Sequence, residues 1–442
     1  MKKENIFERL ANDNRYEVKR NLASNPLTPV SIFKKLLKEN DFDLFIKANI
    51  ATNPSTPLDI LKELSKDKDK NIRELIAERL DIPSEILKKL SQDNKWEVRQ
   101  AVAKNKNTPK DILEELSYDR NEGVRITAAS NPSISINLIK KLSQDSDFRI
   151  REYVAKNPST PPEVLTKLAE DEEWEVRLRV AKNLNTPLDI IEKLSCDEVK
   201  SVRAEVAANP NTPANVLERL IDDIKTSNDL ENFIKQAVAS NPNASPKTLE
   251  KLSDDEVWEI RRAVAENPST PKEILKKLSN DGAWTVREAV ANNPNATADI
   301  LETLLKDKYW MVEMYAGENS NVSLDLIKKL ANSKDKYIKE AIALNPNTPV
   351  DILKKFSQDK EWNVRRSVAK NPNAAPDVLS KLSQDEHIYV RADVAENKNT
   401  PANILNVLSQ DEEDEVRQAV AKNPNISKID LPQQNRSINP SM

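Results

Sequence analysis

One phrase governs the chain. Residues 93–105 read DNKWEVRQAVAKN, residues 171–183 DEEWEVRLRVAKN and residues 359–371 DKEWNVRRSVAKN. Variants of this phrase return from Asp13 to Asn423, most of them followed by Asn-Pro-x-Thr-Pro and a leucine-rich segment such as NPSTPPEVLTKLAED. The junction residues Asn105, Asn131, Asn157 and Asn183 stand 26 apart, and so do the others, except for steps of 28 after Asn25 and 32 after Asn209. A period this short defines a tandem array: one unit cannot bury its own apolar face, so neighbours must stack.

Each repeat reads as two helices. Thr108 is placed to cap a short first helix, Pro109 suits its first position, and Ile112, Leu113 and Leu116 form its apolar stripe. A second helix begins near Asp93 and its equivalents, continues through Trp96, Val98, Ala101, Val102 and Ala103, and stops before Asn105. The proline that follows most junction asparagines disfavours the α conformation there. An extended Asn is therefore expected, its amide serving helix-end carbonyls or the neighbouring loop. These patterns predict an all-α helical-repeat solenoid, a superhelix of about sixteen 26-residue two-helix repeats. Residues 1–426 are expected to form a single array with a polar insertion near 222–228, bulging between the helices of its repeat. Residues 427–442 lose the pattern and read as a disordered tail.

The repeat N-P-x-T-P-x-x-x-L-x-x-L-x-x-D-x-x-x-x-V-R-x-x-V-A-x-N resembles the leucine-rich repeat variant family, and its D…VR half is similar to HEAT repeats. The resemblance extends from residue 1 to about 426. It implies an α-helix alternating with a short 3₁₀ or α segment in each repeat. Some members of the family carry a cysteine-rich iron–sulfur module, but Cys196 is the only cysteine here, so no cofactor is expected. HEAT-type arrays mostly bind proteins and a few bind DNA, so the resemblance leaves the ligand open.

Two charged rows run through the array. Asp93, Asp119, Asp145 and Asp171 hold the first; Arg99, Arg125, Arg151 and Arg177 stand six residues further on in the same repeats. An acid present in nearly every repeat is not a catalytic acid. On a helical wheel the arginine falls inside the buried arc, where a guanidinium requires partners, and the Asp row supplies them. Glu313 replaces Arg, and Ser333 replaces Asp in the following repeat. The paired change makes sense only if each Arg contacts the Asp of the next repeat, since Glu313 would otherwise have met a like charge. Bonds of the type Arg99–Asp119 and Arg125–Asp145 are expected, with Ser333 donating to Glu313.

All six tryptophans share one repeat position. An exposed row could stack bases or grip peptides, whereas its proximity to the recurrent Ala103 position suits packing between repeats. The outward positions of the second helix, those of Glu97, Gln100 and Lys104, are mostly charged. Around Tyr309, Met311, Met314 and Tyr337 they are not, which marks these four residues as a candidate partner-binding surface. The bland alternative is a decayed repeat whose side chains fold inward.

Other chemistry is absent from the pattern. No P-loop, GxGxxG, HExxH or GxSxG occurs, His387 is the only histidine and reads as a surface residue, and Cys196 sits beside Asp197, which would not activate a thiolate. No catalytic residue, metal site or enzymatic activity is expected. The start MKKENIFERLAND lacks an apolar core, and no apolar run approaches the roughly 20 residues that span a bilayer. The expectation is a cytoplasmic, non-catalytic scaffold that binds a protein or peptide along one face. A net charge of −4 and acids interspersed among the bases make nucleic acid the second choice.

Overall fold

The leucine stripe behind each proline-rich turn makes a seven-residue first helix, as at Lys110–Leu116, with Ile112, Leu113 and Leu116 buried. The VR…VA phrase makes a nine-residue second helix, as at Trp96–Lys104, which buries Val98, Ala101, Val102 and Ala103. The computed structural model describes residues 6–12, 16–39, 44–224 and 229–425. Among the described residues are thirty-two α-helices and no strand. The fold is an all-α helical-repeat solenoid. It divides into two compact units, Met1–Thr212 and Pro213–Met442. In each unit the second helices of successive repeats lie side by side and make most of the contacts between repeats. Helices this short do not persist alone, so burial between neighbours is what holds them.

Helix starts differ from the expected pattern. The Thr108 hydroxyl caps nothing ahead of it; it donates to the Val102 carbonyl at 2.6 Å, and Pro109 takes the cap position with extended backbone. Thr108 is buried, and a buried hydroxyl must find a partner; the helix-end carbonyl is the one within reach. The second helix starts at Trp96 rather than near Asp93. Asp93 instead organises the turn before it, Oδ1 accepting from the Lys95 amide at 2.9 Å.

The junction asparagines are extended, Asn105 at φ −66° and ψ 121°. Asn105 Nδ2 donates to the carbonyls of Ala77 and Arg79, both at 2.7 Å, and Oδ1 accepts from the Asn107 amide. Asn131 repeats this on Ala103 and Asn105, at 2.7 and 2.9 Å. Where Arg79 replaces the asparagine, its Nη1 reaches the same two carbonyls, those of Ala51 and Asn53. Each joint is thus a side chain reading the backbone of the repeat before it.

The long repeat, with its bulge expected near 222–228, is described except for residues 225–228. Its first helix, Ala214–Asp222, and second helix, Asp229–Ser240, have 9 and 12 residues against 7 and 9 in Leu188–Leu194 and Lys200–Ala208. Both helices of the long repeat are longer, and in the first Ile221 adds to the buried stripe of Val216, Leu217 and Leu220. Residues 225–228 and the expected tail, 427–442, lie outside the described residues.

Candidate protein-binding face

The two charged rows meet across repeats. Arg99 Nε and Nη2 donate to Asp119 Oδ2 and Oδ1 at 2.6 and 2.8 Å, while Nη1 donates to the Asp93 carbonyl of its own repeat at 2.7 Å. Arg151–Asp171 and Arg177–Asp197 repeat the arrangement, as does Arg73–Asp93. A guanidinium fork fits this bidentate geometry, and its remaining edge reaches the backbone. Lys47, Lys235 and Lys339 reach the next repeat's aspartate through Nζ. Burial alone would push the Asp119 carboxyl up, but the Arg99 hydrogen bond and the Asn121 amide outweigh it and hold the carboxyl below its usual range.

Besides Arg203, which keeps the Asp197 and Glu198 carbonyls without an ion pair, two rungs depart from the expected pattern among the described residues. Arg125 makes no ion pair with Asp145; its Nη1 keeps the Asp119 and Arg120 carbonyls. The chain carries a second carboxylate here, Asp147, and the Arg125 charge acts on it. At the other gap Ser333 does not donate to Glu313. The single Oγ of Ser333 takes the turn role and accepts from the Asp335 amide at 3.1 Å. The carboxylate of an aspartate reaches past the turn to the rung, as Asp119 Oδ2 does to Arg99, whereas the shorter serine side chain stays at the turn. Glu313 is left facing Asp335 and Asp307, and burial together with these two charges raises its carboxyl to about 7.

The second-helix face is ionic in most repeats. Lys104 pairs with Glu78 at 3.0 Å, Arg179 with Glu152 at 2.8 Å and Arg366 with Asp393 at 2.6 Å. That pattern stops on two neighbouring second helices, Trp310–Glu318 and Lys336–Leu344. Met311, Met314 and Tyr315 are half-buried on the first, with Glu318 a turn further on; Tyr337, Glu340 and Leu344 are half-buried on the second. Tyr309 is exposed at the helix start. The four candidate residues Tyr309, Met311, Met314 and Tyr337 therefore reach solvent in part and do not fold into the core. Beside them Gly317 takes the usual alanine position. A Cβ there would lie 2.6 Å from the Ala341 side chain, so these two helices approach too closely for any larger residue.

The tryptophan row is not sealed between repeats. Trp96, Trp174, Trp258 and Trp310 retain 42, 39, 38 and 44% of their surface. Each indole opens its second helix, and in the second unit three of them meet a ring of the following repeat. Trp284 stacks on Tyr309 at 5.9 Å between centroids, and Trp310 on Tyr337 at 5.0 Å. His387 is likewise no bare surface residue, since it lies flat against Trp362 at 3.8 Å. Cations stand over the tyrosines: Lys336 over Tyr337 at 4.9 Å and Arg366 over Tyr389 at 5.3 Å. The row's exposure depends on the neighbouring turn, which sequence spacing on one helix does not report.

Among the described residues no group of three or more His, Cys, Asp or Glu could hold a metal ion, and no helix is long and apolar enough to cross a membrane. Cys196 is an exposed free thiol.

Paired helices joined by a cross-repeat ladder define a helical-repeat solenoid. The model of the leucine-rich repeat variant family matches four stretches of the chain, residues 96–121, 148–173, 201–223 and 258–282. Among solved structures, the chain is similar to a leucine-rich repeat variant with a novel repetitive structural motif. Identity is 22% over 60% of this chain and 86% of that one, with a TM-score of 0.30. It is also similar to yeast importin-beta, at 13% identity over 88% of this chain and 63% of that one, with a TM-score of 0.34. A search of curated proteins found no match.

Proposed function

We propose that the protein is a non-catalytic cytoplasmic scaffold that binds a protein or peptide on the second-helix face of its second unit. The observation that carries this reading is the local replacement of ion pairs by Met311, Met314, Tyr315 and Tyr337, half-exposed on adjacent helices. Methionine and tyrosine at the centre of a face otherwise rimmed by charge are what an interface needs: adaptable apolar area and few groups to desolvate. The test is affinity capture from native lysate, with and without nuclease, by the wild type and by Met311→Gln/Met314→Gln. Helix content should be unchanged by circular dichroism, and a nuclease-resistant captured protein should be lost with the double variant. Equal capture by both would remove the assignment.

The exposed indole row favours a second reading, a single-stranded nucleic acid stacked along the tryptophans. Titration with oligothymidylate, read by tryptophan quenching, decides it. Salt-sensitive quenching that survives the methionine substitutions would support nucleic acid over protein.

A further inference from the structure

The apolar face carries three carboxylates that lack an ion pair, with Lys336 and Lys370 acting on two of them by charge alone. Glu313 and Glu318 lie on the Trp310–Glu318 helix and Glu340 on Lys336–Leu344. Among the described residues none of the three has an ion pair, although acids on the same face elsewhere do. Glu340 Oε1 is buried and accepts no hydrogen bond. A carboxylate oxygen withdrawn from water without a donor is unfavourable by itself and favourable only when a donor arrives. The nearby cations are engaged: Lys336 lies over Tyr337, Lys339 on Asp359, and Arg366 and Lys370 on Asp393. Burial pushes the Glu318 and Glu340 carboxyls up, as it does that of Glu313.

Resting on the binding function proposed above, we infer that the partner is a basic, apolar segment. Its leucine-like side chains cover Met311, Met314 and Tyr337, and its arginines or lysines pair with Glu340 and Glu318. Guanidinium is the better match, because every closed Arg rung of this array already shows that fork seated on a half-buried carboxylate. Glu313 adds to the attraction once ionised. The charged groups facing it are Asp307 from its own repeat and Asp335 from the next, both acidic. The rungs on either side, Arg287–Asp307 and Lys339–Asp359, are closed and offer no spare cation.

The test uses the full chain and three fluorescent probes: a peptide repeating Arg-Leu-Leu, its Glu-Leu-Leu counterpart, and an oligothymidylate of similar length. Anisotropy should show binding of the Arg-Leu-Leu peptide, weakened about tenfold or more by Glu340→Gln. Affinity should rise severalfold from about pH 6 to about pH 8, where Glu313 passes from mostly protonated to mostly ionised. Glu313→Gln should flatten that rise without removing binding, which separates the charge effect from misfolding. Preference for the Glu-Leu-Leu peptide, lost in Met311→Gln/Met314→Gln, would overturn the basic partner while leaving the binding face in place. Failure of both peptides to bind, an affinity unmoved by Glu340→Gln, or tighter binding of oligothymidylate would overturn the inference.

Discussion

At the scale of single residues, one guanidinium does the work of a joint. Arg99 ties its own repeat's backbone to the carboxylate of the next, and the Asp119 side chain it holds is only 9% exposed. Arg99→Ala leaves that carboxylate without its cation and should cost about 3–5 kcal/mol, read as a lowered midpoint in urea. The ladder also sets an acid limit. Asp93, Asp119 and Asp171 are held below the usual carboxylate range, so their contribution is complete above the unfolded value of about 4 and is lost as pH falls through the lowered one. Glu313 runs the other way. Its carboxyl is raised to about 7, so the folded state holds a proton that the unfolded chain releases. Stability then declines as pH rises from about 4 through about 7. Glu313→Gln should raise the melting temperature at about pH 8 and leave it nearly unchanged at about pH 4, by scanning calorimetry.

At the scale of elements, the helices follow from period and stripe, and these were legible in the sequence. The cross-repeat direction of the ladder was legible too, because two anomalous residues, Glu313 and Ser333, constrain each other. What the sequence hid depends on counting atoms in space. Thr108 looks like a cap until the buried Val102 carbonyl claims its hydroxyl. Ser333 looks like a donor to Glu313, but its short side chain stays at the turn, where it accepts from the Asp335 amide. The exposure of the indoles depends on what the next repeat's turn presents, as where Tyr309 meets Trp284. The local loss of charge at Met311 and Met314 was visible in the sequence, whereas the orphaned oxygen of Glu340 was not. Helix spacing gives a further test. Gly317→Ala brings a methyl within 2.6 Å of Ala341 and should destabilise by about 1–3 kcal/mol. Asn131→Ala strips donors from the Ala103 and Asn105 carbonyls, at about 1–3 kcal/mol for each left buried, while Arg79→Asn should stay within about 1 kcal/mol.

At the scale of the molecule, stability is a sum of repeats and seams, and the weakest seam opens first. Amide exchange should therefore be faster across Trp310–Glu318 and Lys336–Leu344, where the rung is missing, than across Trp96–Lys104, where it is closed. Glu313→Gln should slow it there at neutral pH. The junction asparagine has a different consequence. Because Asn183 recognises only two main-chain carbonyls, those of Ala155 and Asn157, it is indifferent to which repeat supplies them. Excising residues 132–157 would offer it the carbonyls of Ala129 and Asn131 instead, the same groups on the same residue types. Length in such a chain is a modular quantity. Whole repeats can be gained or lost by recombination with every joint intact, so a lineage can lengthen its binding surface without redesigning a single contact.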